Sequence, residues 1–237
     1  MKGCRSITLD EQDASCAWFD QHSHQRMAAR TDALILLCIS TGFRAAEACS
    51  LRVGDVDGRY ISLRRCNAKG KHEGRKRVLN AEAREALERW LAVTGDTGQA
   101  TAWLFPAFTR GRAFLLNKRQ HVSPEGLRRQ IVRAKQALGW TGQVATHSLR
   151  KTSAQRVDLL TGHDVRAVQH HLGHKSLATT QLYLAPDEAA LEYAVEHISD
   201  RAALAQHTAR PHAALSTWAA ARRQRRAPER ILESTAL

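Results

Sequence analysis

The sequence predicts an α+β fold, mainly α-helical, with a small three-stranded antiparallel sheet set among the helices. Three observations carry this. Apolar residues recur at helical spacing in most segments between Thr8 and Leu204. Between two such stretches, Val53 to Val56, Tyr60 to Arg65 and Lys76 to Leu79 have strand character, divided by Asp57-Gly58 and a loop holding Gly70 and Gly74. The chain has 237 residues, 43% of them hydrophobic, enough to bury one medium core.

The elements follow in order. Thr8 and Glu11 form a capping-box pattern, so a helix runs from there to about Asp20. From Met27 to Ser40 the run Leu34, Ile35, Leu37, Cys38, Ile39 leaves little polar face, which marks a central core helix ended by Gly42. Residues 44–50 read as a short helix before the strands. Helical signatures return at Ala81 to Leu91, Pro124 to Leu138 with Ser123 as cap, and Thr146 to Leu159. Shorter helices fit Val165 to Leu172, Leu177 to Tyr183 and Asp187 to about Leu204. The last thirty or so residues are rich in Ala and Arg, as a frayed helix or a disordered basic tail would be.

Charge narrows the function classes. Net charge is +13, and 12 of those excess positive charges fall in residues 51–150. A polyanion is the usual reason to tolerate such regional self-repulsion, and nucleic acid is the first candidate. All five cysteines lie in the first third, their number is odd and no C-x-x-C pair occurs, which favours reduced thiols over a disulfide framework or zinc ribbon. The longest apolar run, Ala33 to Ile39, is far short of a membrane span and no signal-peptide core opens the chain. A soluble, cytoplasmic protein without membrane contact is expected.

Three motifs carry chemistry. In Thr41-Gly42-Phe43-Arg44-Ala45-Ala46-Glu47, an Arg follows the core helix and a Gly turn, with Glu47 one helical turn on. Such an anchored guanidinium suits bidentate grip on a phosphate, although a structural Arg–Glu pair explains the same spacing. In His147-Ser148-Leu149-Arg150, the i, i+3 spacing sets imidazole and guanidinium on one helix face; a solvated helix face is the alternative. The string Leu172-Gly173-His174-Lys175-Ser176-Leu177-Ala178-Thr179-Thr180-Gln181-Leu182-Tyr183 places a tyrosine nine residues after a Gly-His turn. Between strands two and three, Lys69 to Lys76 forms a basic hairpin tip suited to reaching a DNA groove or delivering a proton. It lacks the G-x-x-x-x-G-K-[ST] pattern of a nucleotide-binding loop. His170, His171 and His174 invite a metal reading because 170 and 174 sit one turn apart, but Gly173 breaks the helix before His174 and no carboxylate or Cys completes a metal set.

In this order, Arg44, Lys69, His147-x-x-Arg150, Gly173-His174 and Tyr183 resemble the catalytic set of the tyrosine recombinase (phage integrase) family, over about residues 6–200. The resemblance implies that family's catalytic-domain fold and a site-specific recombinase. Arg44 and Arg150 would clamp the non-bridging phosphate oxygens. Tyr183 would attack to form a 3′-phosphotyrosyl link and free a 5′-hydroxyl. Lys69 matches the family's general acid, with Lys71 as backup, His147 its acid/base, and His174 its phosphate and pocket support. Glu47 matches a helper that orients the scaffold and reads as structural. The other tyrosines, Tyr60 and Tyr193, read as packing residues. No cofactor or metal is required, because the phosphotyrosine bond conserves the energy of the cut strand.

Further contacts to double-stranded DNA are expected from Lys71, Arg75, Lys76, Arg128, Arg129, Lys151 and Lys175. The resemblance begins almost at Met1, as in a short form without the family's N-terminal DNA-clamping domain, or in a fragment. A catalytic domain over residues 1–205 and a basic tail over 206–237 are expected. The apolar stripe Leu191, Val195, Ile198 fits either the chain's own core or, as the family implies, exchange of the C-terminal helix in a homo-tetramer on DNA. An accessory DNA-binding protein would complement a missing clamp. Two other readings stay open on sequence alone: a catalytically silent DNA-binding regulator of the same fold, and DNA relaxation of the type IB topoisomerase kind.

Overall fold

In a computed structural model, residues 3–67, 74–95, 99–109, 114–181, 183–184 and 195 are described. Contacts divide the chain into two units, Met1–Leu184 and Ala185–Leu237. All the elements below belong to the first. The expected helix from Asp187 to Leu204 and the boundary at 205 lie outside the described residues, apart from the helical, exposed Val195.

Helix α1 spans Leu9–His22. Its capping box forms as expected: the Glu11 backbone N–H donates to Thr8 Oγ1 at 3.1 Å, and the Thr8 N–H donates to Glu11 Oε2 at 3.0 Å. Helix α2, Gln25–Thr41, is the centre of the molecule, with every residue from Ala33 to Ile39 buried. It packs against α1, against α4 (Ala81–Thr94) and against α6 (Thr146–Leu160). A helix apolar on nearly all sides has to be surrounded in this way. Gly42 closes α2 in the left-handed region, at φ 65°.

After the short helix α3 (Ala45–Cys49) comes the antiparallel sheet β1 (Val56–Asp57), β2 (Tyr60–Leu63) and β3 (Arg75–Val78), in that order. Tyr60 pairs with Val78 and Leu63 with Arg75. Two strand expectations need correction. Val53–Asp55 is a 3₁₀ turn, because the Asp55 carboxylate accepts the Arg52 N–H at 2.7 Å and the Val53 and Gly54 N–H groups donate to Ala102 and Ala100 instead of to a ladder. Strand β2 stops at Leu63, and Arg65–Asn67 is again a 3₁₀ turn.

Helix α4 is capped by Asn80, whose Oδ1 accepts from the Ala83 N–H at 3.1 Å, and it buries Trp90, whose Nε1 donates to Leu104 O at 2.7 Å. A two-stranded sheet then forms from β4 (Pro106–Phe108) and β5 (Leu116–His121), which the sequence did not announce. Helix α5 (Pro124–Ala137) starts at the Ser123 cap, and helices α6, α7 (Val165–Leu172) and α8 (Leu177–Gln181) complete the unit. The main core gathers around α2. A smaller apolar cluster, Ala154, Val168, Leu172 and Tyr183, holds α7 and the segment after α8 against α6. Among the described residues no helix is long and apolar enough to cross a membrane.

Candidate active site

Four local features converge on one point: the turn after α2, the first turn of α6, the end of α7 and the segment after α8. Gly42 lets the chain turn sharply, so Arg44 becomes the N-cap of α3. The Glu47 carboxylate then accepts the Arg44 backbone N–H at 2.9 Å and its Nη1 at 3.1 Å. Glu47 is 2% exposed and also takes Arg75 Nη2 at 2.8 Å. Burial alone would raise its pKa. The Arg44 backbone hydrogen bond and the charges of Arg75, Arg44 and Arg150 outweigh burial and hold it below the ordinary value. The carboxylate thus stays ionised and aims two guanidiniums.

Arg150 lies at the bottom of the site, 1% exposed. Its Nη1 donates to Gly42 O, and its Nη2 to Leu172 O and His174 Nε2, both at 2.8 Å. Its Nε is buried without a hydrogen-bond partner among the described residues. Burial first, and the neighbouring Arg44 second, push its pKa down to about 10, still far above neutral. A permanent positive charge is therefore held in a low-dielectric place, where it acts strongly on an anion.

His174 follows the α7 C-cap Gly173, which sits at φ 65° with no room for a side chain: a Cβ there would lie 2.5 Å from Arg75 Nη1. An arginine N–H can only donate, so His174 Nε2 accepts from Arg150 and Nδ1 carries the proton, which it donates to Thr180 Oγ1 at 3.0 Å. Burial, then Arg150, Arg44, Arg75 and His147, lower the His174 pKa to about 4. At neutral pH the ring is uncharged.

Tyr183 is 9% exposed, with its ring seated on Ala154, Val168 and Leu172. Its Oη is hydrogen-bonded to His147 Nε2 at 2.7 Å. The ring centroid lies 5.4 Å from that of His147 and 5.2 Å from that of His174, with Arg150 Cζ 6.0 Å away. A phenol, an imidazole and a buried cation thus share one pocket. This can deprotonate a phenol beside positive charge, the arrangement a phosphoryl transfer needs.

Of the residues singled out in the sequence, Arg44, His147, Arg150, His174 and Tyr183 come together here. Lys69 and Lys71 lie outside the described residues. Arg75 is turned inward, donating to Glu47 and, at 2.6 Å, to Leu172 O. Lys76 Nζ reaches Asp57 at 3.1 Å and lies 4.6 Å from the Tyr60 ring centroid. Arg128 forms a two-pronged pair with Glu125 on the exposed face of α5, Arg129 is exposed beside it, Lys151 is half-buried on α6, and Lys175 is exposed after the Gly-His turn. An open cleft of about 970 Å³ runs from His174 past Arg75, Lys76, Arg77, Arg166 and Lys175.

Three contributors were given no part in this site by the sequence. Thr180 Oγ1 takes the His174 Nδ1 proton in a hydrogen bond and so orients the ring whose tautomer Arg150 sets. His171 bonds Ser153 Oγ through Nε2 at 2.7 Å, and burial followed by Arg77 and Arg150 lowers its pKa to about 4. Arg77 donates to the carbonyls of His170 and His171. The alternation of β3, Arg75 inward and Lys76 outward, belongs to the folded strand, and no sequence signal set these inward-facing arginines apart.

A model of the phage integrase family matches residues 10–190. The chain belongs to the phage integrase family. Relatives within it include a tyrosine recombinase XerC of Corynebacterium efficiens, 34% identical over 154 residues that cover 65% of this chain and 46% of the relative. A tyrosine recombinase XerC of Rhizobium meliloti is 32% identical over 187 residues, 78% of this chain and 52% of its own. The chain spans about half the length of these curated relatives. Among solved structures, XerA recombinase superposes with a TM-score of 0.62 at 27% identity, covering 81% of this chain and 65% of its own. The XerH site-specific recombinase, bound to a palindromic difH substrate after cleavage, shares the fold with a TM-score of 0.65 at 23% identity, over 84% and 54% of the two chains. Membership in the phage integrase family thus agrees with the mainly helical fold and its three-stranded sheet.

Proposed function

We propose that this protein is a site-specific DNA recombinase that cuts and rejoins strands through a covalent 3′-phosphotyrosyl intermediate. The observation that carries this reading is the 2.7 Å contact between Tyr183 Oη and His147 Nε2 beside the buried Arg150 guanidinium. Tyr183 Oη attacks the phosphorus of the scissile phosphodiester while its proton passes to His147. The new Oη–P bond forms as the P–O5′ bond breaks, and Lys69 gives the 5′ oxygen its proton. Rejoining reverses each transfer, with the 5′-hydroxyl as nucleophile and the tyrosine as leaving group.

Arg44 and Arg150 offset the charge that builds on the non-bridging oxygens. His174 is neutral while it accepts from Arg150; an incoming phosphate competes for that guanidinium, raises the imidazole's proton affinity and gives His174 a proton to donate. Lys71, Arg75, Lys76, Arg128, Arg129, Lys151 and Lys175 are proposed to follow the duplex backbone, Arg75 from its inward position through the Glu47 pair. Residues 1–205 form the catalytic domain in this reading, with 206–237 as a basic tail in loose contact with DNA. The working form is a cytoplasmic homo-tetramer on DNA that exchanges C-terminal helices, joined by an accessory DNA-binding protein.

The test is incubation with nicked suicide duplexes carrying sites selected from a genomic DNA pool. A covalent protein–DNA adduct that Tyr183→Phe abolishes is the expected result. No adduct on any bound site would mean a silent DNA-binding protein. Adducts together with relaxation of arbitrary plasmids would mean a topoisomerase.

A further inference from the structure

Helix α7 delivers His174, and its C-terminal end is held in an unusual way. The last carbonyls of a helix have no partner within it and carry partial negative charge. Here three guanidiniums meet them. Arg75 Nη1 and Arg150 Nη2 both take Leu172 O, at 2.6 and 2.8 Å. Arg77 takes the two carbonyls before it, Nε donating to His171 O at 3.0 Å and Nη2 to His170 O at 2.6 Å. Its remaining nitrogen, Nη1, donates to Lys76 O at 2.9 Å.

Arg75 and Arg77 lie two apart on β3 and so share a face of the sheet. Two like charges on the inward face of a strand are unfavourable unless something compensates them. Burial and the charge of Arg75 both lower the Arg77 pKa, and the carbonyl end of α7 is what compensates it. Arg75 and Arg150 also touch Glu47 or His174, so they belong to the site. The described bonds of Arg77 go only to backbone carbonyls, two of them on the last turn of α7 and one on Lys76 of its own strand.

We propose that Arg77 is a positioning residue: it ties strand β3 to the end of α7 and thereby sets where the Gly173–His174 turn presents the His174 ring. Only two residues separate His171, whose carbonyl Arg77 holds, from His174, and one of them, Gly173, sits against Arg75 with no slack. Without Arg77 the last turn of α7 loses two of its guanidinium bonds, and His174 Nε2 drifts from Arg150 Nη2. A shift near 1 Å in a reacting constellation costs about 100-fold in rate. The catalytic part of this inference rests on the recombinase reading above; the ring's position does not.

The experiment uses the full chain and two variants, Arg77→Ala and Arg77→Lys, and reads two quantities. The first is the imidazole titration of His174 and His171 by NMR without DNA. The charges that depress His174 are Arg150, Arg44, Arg75 and His147, whereas Arg77 acts directly on His171. Loss of charge alone therefore moves His171 and leaves His174 near 4. Loss of position moves His174 upward as well, and that is the expected result for Arg77→Ala. The second quantity is the single-turnover cleavage rate at saturating suicide DNA. It should fall by about 10- to 100-fold in Arg77→Ala and less in Arg77→Lys, with DNA affinity within about threefold of wild type.

A His174 titration unchanged in Arg77→Ala, together with cleavage at the wild-type rate, would overturn the proposal. Where Arg77→Ala does not fold, Arg77→Lys decides: wild-type cleavage and titration in that variant overturn it too. A wild-type protein that forms no adduct would count against the recombinase reading, while the His174 titration would still report on Arg77.

Discussion

Replacing Glu47 with Gln removes one negative charge from beneath two guanidiniums while keeping the shape of the side chain. In the wild type the Glu47 oxygens accept Arg44 Nη1 at 3.1 Å, the Arg44 N–H at 2.9 Å and Arg75 Nη2 at 2.8 Å, with the carboxylate 2% exposed. Breaking a buried pair by removing one partner costs about 3–5 kcal/mol, and the retained amide oxygen places Glu47→Gln near 3 kcal/mol. For a domain of this size each kcal/mol moves the melting temperature by about 2–4 °C, so a drop of about 6–12 °C is expected. The burden is uneven. Arg75, 13% exposed, is left with less compensation than Arg44, 30% exposed, which turns to solvent. Because Arg44 then loses its aim, strand cleavage should fall by about 10- to 100-fold at saturating DNA.

The pH dependence of this loss has a definite sign. Glu47 has a folded pKa below its ordinary 4.5, so its stabilisation is complete above 4.5 and disappears as pH falls through the lowered value. The gap between wild type and Glu47→Gln should therefore close in strong acid. Differential scanning calorimetry across pH, paired with suicide-substrate kinetics, measures both. A melting temperature within about 2 °C of wild type, with cleavage undiminished, would refute the claim that this carboxylate organises the site.

Three further outcomes follow from the same geometry. Gly173→Ala forces a Cβ into the left-handed region and onto Arg75; urea unfolding should show a loss of about 2 kcal/mol or more, with cleavage reduced alongside. His174 and His171 are both held near 4 when folded but titrate near 6.5 when unfolded, so the unfolded state binds the extra protons between those values. Stability should fall as pH drops from 6.5 towards 4 and level off below, on the order of 3 kcal/mol for His174, as read by urea midpoints. His147→Ala removes the ring nitrogen 2.7 Å from Tyr183 Oη and should slow adduct formation by about 10²- to 10⁴-fold in single-turnover assays, leaving DNA affinity unchanged.

What the sequence made legible was local. Thr8 and Glu11 announce the start of α1 because a capping box needs only residues three apart. The solid apolar run of α2 announces a central helix, and Val165–Leu172 is bounded by its own Asp164 cap and Gly173. The candidate site residues were singled out for a similar reason, since each sits beside a Gly turn or at helical spacing. The misses involve partners far apart in the chain. Nothing near Arg75 signals Leu172, 97 residues away, or that its guanidinium would turn from the surface to Glu47. The β4–β5 hairpin was missed because Lys118-Arg119-Gln120 gives no apolar alternation; its register is set by pairing with Pro106–Phe108. Val53–Asp55 read as a strand from its β-branched residues, and the Asp55 carboxylate turned it into a 3₁₀ turn.

The central claim is that Tyr183, activated by His147 and flanked by Arg150, is the nucleophile. The measurement that meets it most directly is mass spectrometry of the protein–DNA adduct trapped on a nicked suicide duplex, after protease and nuclease digestion. The account predicts a nucleotide remnant on the peptide containing Tyr183, linked through its phenolic oxygen to a 3′-phosphate. A remnant on any other residue, or a 5′-phosphate link, would contradict it.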